Sequence, residues 1–144
     1  MAGDSSDGWG ERAEAWSRHW GRLADPAREA VARAADIGPG IKVLDAGCGS
    51  GEFLALAVER GAIASGIDAS PGMLAIARRR APAADLREGD ITALPYADGA
   101  FDVVTAFNAV QFTGDIASAA TPYRRPDGSH SFKNRFRYVV ATRS

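Results

Sequence analysis

Three glycines alternate over five residues directly after an apolar segment, at Gly47, Gly49 and Gly51. Glycine is needed where the backbone adopts a positive φ or has to approach a ligand closely. Between a strand and a helix, such a turn forms a cradle at the carboxyl end of the strand, where open α/β sheets bind ligands. The same trio is also consistent with a tight turn that binds nothing, so its interpretation depends on the residues around it.

Aspartates follow three successive segments that have strand-like composition. Asp45 ends the first segment, Asp68 ends the second, and Asp90 follows a weaker third. A carboxylate in the second position can accept hydrogen bonds from two ribose hydroxyls, and one in the third position from an adenine amino group. Each acid alone is more often a helix cap or a solvated loop residue. At neighbouring strand ends they together predict one nucleoside-binding crevice.

A dinucleotide site is the competing interpretation. Its fingerprint places the third glycine where this sequence has Glu52. A carboxylate at that helix N-terminus would oppose a bound pyrophosphate, which favours a nucleoside without phosphates. Glu52 is equally explained by a favourable interaction with the helix dipole, and both explanations stay open.

Helices and strands alternate around these residues. Helices are expected over residues 9–20, 25–35, 52–60 and 70–80. Asp25 is expected to be the N-cap of the second helix, with Pro26 as its first helical residue. Gly61 is expected to close the third helix, and Ser70-Pro71 to open the fourth. Strands are expected over residues 41–45, 62–68, 84–88, 101–107 and 132–141. Apolar strands alternating with helices predict an α/β fold with a Rossmann-like, doubly wound, mostly parallel sheet and right-handed crossovers.

Residues 41–112 resemble the core of class I S-adenosylmethionine-dependent methyltransferases, in particular the type 11-like group that acts on small molecules. The segments that carry the resemblance are VLDAGCGSG at 43–51, DASPGML at 68–74, EGDI at 88–91, LP at 94–95 and FDVV at 101–104. The resemblance covers about half of the chain, and it implies S-adenosyl-L-methionine as the cofactor and methyl transfer to a small-molecule acceptor.

The resemblance also implies roles for single residues. The backbone of the glycine turn would line the methionine part of the cofactor, Asp45 would support the turn, and Asp68 would bind the ribose. Met73 would pack against the adenine, with Asp90 at its amino group and the Ile91 N–H at its ring nitrogen. The full set of candidate cofactor-binding residues is Asp45, Gly47, Cys48, Gly49, Gly51, Asp68, Ala69, Met73, Asp90, Ile91, Phe107 and Asn108.

The transfer point itself is less well defined by the sequence. Phe107 and Asn108 would border the sulfonium and the acceptor, and Gln111 lies nearby, but no general base can be named. Cys48 has the small, apolar-flanked setting of an inert packing residue rather than a nucleophile. His19 and His130 have no metal-ligand spacing, so no metal site is expected.

Trp9, Trp16 and Trp20 share one helical face. They are expected to pack on the sheet, and capping of the cofactor is the alternative.

The C-terminal part departs from the family pattern. We expect a disordered start at 1–8, a cofactor-binding domain at 9–112, an irregular connection at 113–131 and a closing strand at 132–144 that completes the same domain. An internal deletion near 113–121 would explain the lack of two further strands. It would expose apolar strands around Val43 and Val104, which predicts a homo-oligomer. The deletion would also remove most of the wall that contacts an acceptor, so the sequence supports cofactor binding more strongly than catalysis. A non-catalytic module that binds S-adenosylmethionine or S-adenosylhomocysteine is therefore the alternative. An NAD-binding oxidoreductase domain is less favoured.

Bulk composition limits the partners. The chain has 144 residues, enough for one domain, and its net charge of -1 gives no general attraction to nucleic acid or to an anionic membrane. Its polar N-terminus does not resemble a signal peptide, and its single cysteine fits a reducing compartment. A cytoplasmic protein without a membrane partner is therefore expected.

Overall fold

The computed structural model describes residues 15, 18, 24–107 and 138–142. Its helices are α1 (Asp25–Ala34), α2 (Glu52–Glu59) and α3 (Pro71–Arg80). Its strands are β1 (Lys42–Ala46), β2 (Ile63–Asp68), β3 (Asp85–Glu88), β4 (Val103–Phe107) and β5 (Tyr138–Thr142). The helix expected over 9–20 lies almost wholly outside the described residues, although Ala15 and Arg18 are helical. The irregular connection expected over 113–131 lies outside them as well.

The five strands form one sheet in the order β3-β2-β1-β4-β5. The first four are parallel, and β5 runs antiparallel to β4. This arrangement confirms the α/β fold and the mostly parallel, doubly wound sheet. The chain proceeds outward from β1 to β3 and returns to place β4 on the other side of β1. The topological switch point, where open α/β sheets bind ligands, therefore lies at the carboxyl ends of β1 and β4.

The helix starts differ in how they are capped. Ser70 is the N-cap of α3, and its hydroxyl accepts a hydrogen bond from the Met73 N–H at 3.3 Å. At α1 the predicted cap is wrong, because Ala24 occupies the N-cap position and Asp25 is the first helical residue, ahead of Pro26. The Asp25 carboxylate accepts a hydrogen bond from Arg28 at 2.9 Å instead of capping the backbone.

The strand bounds shift by one or two residues. β1 continues to Ala46, one residue beyond the predicted end. β4 begins at Val103 rather than at residue 101. Asp102 explains the later start, because its carboxylate accepts from the Lys42 N–H at 2.9 Å and its own N–H donates to the Lys42 carbonyl at 2.8 Å. This exchange at the entry of both strands sets the register of β4 against β1.

Both faces of the sheet carry a hydrophobic cluster. On one face, side chains from β1, β2 and β4 pack against α1 and α2; the fully buried members include Val31, Val43, Phe53, Leu54 and Val103. On the other face, Leu44, Ala46 and Ile67 are buried, with residues of the 91–101 loop and Val104 packed against them. The expectation of an exposed apolar face is therefore wrong for Val43, which is 0% exposed, while Val104 is half-buried.

Within the described ranges, no helix is both long and apolar enough to cross a membrane. The same residues contain no group of three or more histidine, cysteine or acidic side chains that could hold a metal ion.

Candidate cofactor site

The glycine turn adopts the backbone conformation that its composition predicts. Gly47 and Gly49 have φ values of 73° and 54°, in the left-handed region that favours glycine. The Gly47 and Cys48 N–H groups both donate to the Ile67 carbonyl, at 2.8 and 3.1 Å, which docks the turn onto the end of β2. A Cβ atom on Gly49 would meet nothing within 4 Å, so this glycine borders open space. The turn therefore has open space beside its backbone at Gly49.

Gly51 also has a positive φ, of 84°, and in addition it has a packing role that was not predicted, while its contact with a cofactor stays a prediction. A Cβ atom on Gly51 would lie 2.9 Å from the Ala77 Cβ, so the absence of a side chain allows α2 and α3 to pack closely. A second packing glycine, Gly66 in β2, was not predicted; a Cβ there would lie 2.6 Å from the Leu54 side chain and 2.9 Å from the Cys48 sulfur. Two glycines near the turn are thus required by the core.

Cys48 directs its side chain into the core above Gly66 and is 5% exposed. Burial is the largest cause that raises the pKa of its thiol far above the ordinary value, and the nearby carboxylate of Asp45 adds to it. This setting fits the inert packing role expected from the sequence.

Asp68 connects the glycine turn to the start of α3. Its Oδ2 accepts from the Gly49 N–H at 2.9 Å, and its Oδ1 accepts from the Ser70 N–H at 2.9 Å. The predicted convergence of Asp68 on the glycine turn is therefore present. Because a carboxylate oxygen can accept two hydrogen bonds, the half-buried group retains the capacity to accept from ligand hydroxyls.

Asp90 lies two residues beyond β3 and is exposed. Its Oδ1 accepts from the Thr92 hydroxyl at 2.7 Å and from the Thr92 N–H at 2.8 Å. These two bonds, the side-chain bond first, lower the pKa of Asp90. The structure does not show Asp90 in contact with the glycine turn, so its meeting with an adenine stays a prediction. The preceding Gly89 N–H donates to the Asp68 carbonyl at 3.0 Å, which brings this loop to the same edge of the sheet.

Asp45 is buried at the carboxyl end of β1, with 3% of its surface exposed. Its Oδ1 accepts a 2.7 Å hydrogen bond from the hydroxyl of Thr105, which is 0% exposed in the neighbouring strand β4. The carboxylate is therefore held by strand β4, and its support of the glycine turn stays a prediction. Removal from water raises the pKa of Asp45 to about 7, against the opposing effect of the Thr105 hydrogen bond.

A polar network fixes the N-terminus of α2. The Glu52 Oε1 accepts from the Ser50 hydroxyl at 2.5 Å and from the Arg80 guanidinium at 2.7 Å. The same Arg80 nitrogen donates to the Ser50 carbonyl at 2.7 Å. The Glu52 carboxylate thus has protein partners of its own, in addition to its favourable place at the helix N-terminus.

The remaining candidates are less closely tied to the turn. Met73 is buried beside Ile76, Ala69 is exposed, and Ile91 packs against the cluster that contains Ile67. Phe107 is half-buried, with its ring centroid 4.8 Å from that of Phe53. Asn108 lies outside the described residues, as do Gln111, the three tryptophans and both histidines.

Comparison with known proteins identifies the family. Residues 44–125 match the family described as "Methyltransferase domain". The chain is 42% identical over 93 residues to a malonyl-[acyl-carrier protein] O-methyltransferase of Serratia marcescens, covering 62% of this chain and 36% of that protein. It is 40% identical over 89 residues to a demethylmenaquinone methyltransferase of Renibacterium salmoninarum, covering 62% and 35% of the two chains.

Solved structures agree with this relationship. The crystal structure of an S-adenosylmethionine dependent methyltransferase from Mesorhizobium loti has 30% sequence identity and a TM-score of 0.56, with 77% of this chain and 50% of that chain covered. This chain spans about a third to a half of the length of the curated relatives it matches. The family match, the strand order and the glycine turn with its aspartates agree: the chain belongs to the class I S-adenosylmethionine-dependent methyltransferases.

Proposed function

We propose that this chain binds S-adenosyl-L-methionine at the carboxyl ends of β1 and β2. The observation that carries the proposal is the Asp68 carboxylate, which bridges the Gly49 and Ser70 N–H groups at 2.9 Å each. This bridge keeps the Asp68 carboxylate, which would accept from the ribose hydroxyls, against the glycine turn. The backbone of that turn would lie along the methionine part of the cofactor. The open space at Gly49 fits that group, because a side chain at this position would occupy the same volume.

The charges around the turn also fit this cofactor. Asp45 interacts electrostatically with both Asp68 and Glu52, so three carboxylates gather at one edge of the sheet. S-adenosylmethionine carries a sulfonium and an ammonium group, whereas a dinucleotide would bring two phosphate charges to the same place. Repulsion from buried and half-buried carboxylates disfavours the dinucleotide, which supports the nucleoside over NAD.

The other candidate residues complete the proposed site. Met73 would pack against the adenine, with Ala69 beside it, Asp90 at the amino group and Ile91 at the ring nitrogen. The backbone of Gly47 and Cys48 would line the methionine part. Phe107 and Asn108 would border the methyl group and the acceptor.

We propose further that the protein transfers a methyl group to a small-molecule acceptor. When bound, the cofactor supplies a methyl carbon already activated by the sulfonium, so the chain has to bind, orient and exclude water. Support comes from the relatives, whose names specify malonyl-[acyl-carrier protein] and demethylmenaquinone as methyl acceptors. The near-neutral charge of the chain supports a partner that is neither nucleic acid nor a membrane.

A binding module without transferase activity is the second candidate. The match covers 35–36% of the length of the first curated relatives, so their methyl transfer does not by itself extend to this chain. Release of S-adenosylhomocysteine in the presence of a panel of oxygen, nitrogen and carbon acceptors separates the two candidates.

Calorimetric titration tests cofactor binding. The unmodified chain is expected to bind S-adenosylmethionine and S-adenosylhomocysteine and to give no heat with NAD. Asp68→Ala is expected to weaken binding by at least about tenfold, because hydrogen bonds to a charged group contribute about 1.5–3 kcal/mol. Asp98→Ala removes an exposed acid from the turn before β4 and serves as the matched control. Equal affinities of the unmodified chain and Asp68→Ala would refute the proposed site.

We also propose that the protein acts in the cytoplasm and self-associates. The buried, unpaired Cys48 thiol fits a reducing compartment. In the described sheet β5 is an edge strand, and edge strands present unpaired backbone groups to other chains. Light scattering tests the assembly, and a monomer at high micromolar concentration would contradict it.

A further inference from the structure

The buried end of the sheet next to the glycine turn contains a polar pair, of which the proposed site includes Asp45 and not its partner Thr105. Asp45 and Thr105 are directly paired in the register of β1 and β4. Their side chains lie on the α1 and α2 face of the sheet, in line with Val43 and Val103, which are apolar and buried. A hydroxyl and a carboxylate in such a place are expected to have a purpose beyond packing, because burial of a carboxylate is unfavourable.

We propose that Thr105 is a positioning residue of the cofactor site, which fixes the Asp45 carboxylate next to the glycine turn and favours the ionised form that attracts the cationic cofactor. The inference rests on the proposed binding of S-adenosylmethionine. The 2.7 Å bond from the Thr105 hydroxyl to Oδ1 is the only hydrogen bond that the structure gives this carboxylate among the described residues. Thr105 is itself 0% exposed, so it would act on the cofactor through Asp45.

The surroundings of Asp45 make its charge sensitive to this single bond. Burial raises its pKa to about 7, and the carboxylates of Asp68 at the end of β2 and Glu52 on α2 act in the same direction. The Thr105 hydrogen bond from β4 and the more distant Arg28 guanidinium on α1 act in the opposite direction. The thiol of Cys48, in the turn itself, stays protonated because its pKa is raised. Asp45 therefore changes charge near neutrality, and the Thr105 hydroxyl is the largest of the effects that favour the ionised form.

A dependence of binding on pH follows with a definite sign. The ionised form binds the cation, so affinity is full above the pKa of Asp45 and falls as the pH decreases through it. Well below that value the loss approaches tenfold per pH unit, as for one linked proton. Thr105→Val keeps the shape and removes the donor. It is expected to raise the pKa of Asp45 by about one unit or more, since a hydrogen bond to a charged group is worth about that much.

The test uses the full chain and two measurements. Carbon-13 NMR of labelled aspartate follows the titration of Asp45 without ligand, with Asp45→Asn to assign the signal. Calorimetry with S-adenosylmethionine from pH 6 to pH 9 gives the affinity profile. Thr105→Val is expected to move both midpoints upward and to weaken binding about five- to tenfold at pH 7, with recovery at pH 9. Thr105→Ser keeps the donor and is expected to follow the unmodified chain.

Several outcomes would overturn the inference. A Thr105→Val loss that is equal at every pH would give Thr105 a packing role only. Should Thr105→Val fail to fold, the unmodified chain still decides, because an affinity that stays constant between pH 6 and pH 8 excludes a titrating Asp45. An unmodified chain that binds no S-adenosylmethionine at any pH would instead refute the proposed function and the positioning role that rests on it. The NMR titration would then still report whether the hydroxyl controls the carboxylate.

Discussion

Replacement of Asp45 by asparagine is expected to stabilise the folded chain at pH 8 and to have little effect on its stability near pH 4. The folded-state pKa of Asp45 is raised from 3.8 to about 7, so between these values the folded chain binds a proton that the unfolded chain has released. Stability then decreases as the pH rises through this window, the reverse of the usual behaviour of an aspartate. The full rise in the pKa of Asp45 corresponds to about 4 kcal/mol in the free energy of unfolding. This value is the upper limit of the stability that Asp45→Asn can recover at pH 8.

The net gain is expected to be smaller, at about 1–3 kcal/mol, because the new amide must find an acceptor for its N–H groups in a buried site. The Thr105 hydroxyl can still donate to the amide oxygen, so the existing bond is kept. Urea unfolding of both chains at half-unit steps from pH 4 to pH 8 gives the comparison. A constant difference between the two chains across this range, or a loss of stability in Asp45→Asn at pH 8, would refute the reasoning.

Asp90→Asn is the matched control, because its expected sign is opposite. Hydrogen bonds from Thr92 lower the pKa of Asp90, so its carboxylate adds stability above the unfolded-state value and loses it as the pH falls through the folded-state value. The substitution is therefore expected to lower stability at neutral pH and to have no effect in strong acid. Identical pH profiles for Asp45→Asn and Asp90→Asn would show that the difference in burial has no consequence.

Three further predictions follow from the packing around the glycine turn. Gly66→Ala is expected to destabilise the chain by about 1–3 kcal/mol in urea unfolding, because the new Cβ would lie 2.6 Å from the Leu54 side chain. Gly38→Ala serves as the control, because its Cβ would meet no described residue beyond its chain neighbours at less than 3.9 Å. Arg80→Met removes the donor to the Ser50 carbonyl and to Glu52. Hydrogen exchange of the glycine-turn amides is therefore expected to accelerate, while that of the β2 amides does not. Turn amides that exchange equally slowly in Arg80→Met and in the unmodified chain would contradict the network. Cys48 is expected to resist iodoacetamide at pH 8 until the chain unfolds, because burial raises the pKa of its thiol, and rapid labelling of the folded chain would contradict its place in the core.

Residues close together in the sequence were the ones whose roles could be predicted. The glycine turn, the Ser70-Pro71 helix start and the strand end at Asp68 depend on local backbone preferences that the sequence expresses directly. The meeting of Asp68 with Gly49 was predictable too, because parallel strands end at the same edge of a sheet. The expected closing strand was also found, since β5 pairs with β4 over Tyr138–Thr142, although its antiparallel direction was not predicted.

Contacts that depend on the register of distant strands and helices were not predictable. Thr105 is 60 residues from Asp45, and only the alignment of β4 with β1 brings the two together. Arg80 is 30 residues from Ser50, and its long side chain reaches the turn only because Gly51 lets α3 approach. A threonine among apolar residues in a buried strand was the one available signal, because a buried hydroxyl requires a partner. The prediction of an exposed sheet face around Val43 failed for a related reason, since α1 and α2 cover that residue.

The two aspartates at the glycine turn differ in what they do for the fold. Asp68 supports the structure, since its carboxylate satisfies two backbone N–H groups, one of them at the start of α3. Asp45 opposes it, since an apolar or neutral residue in the same place would avoid the unfavourable burial of a charge. A destabilising carboxylate at the switch point of an α/β sheet is typical of a group kept for its effect on a ligand rather than for stability. Binding of a cationic cofactor would offset the unfavourable burial, so the stability that Asp45 removes from the empty chain becomes affinity in the complex.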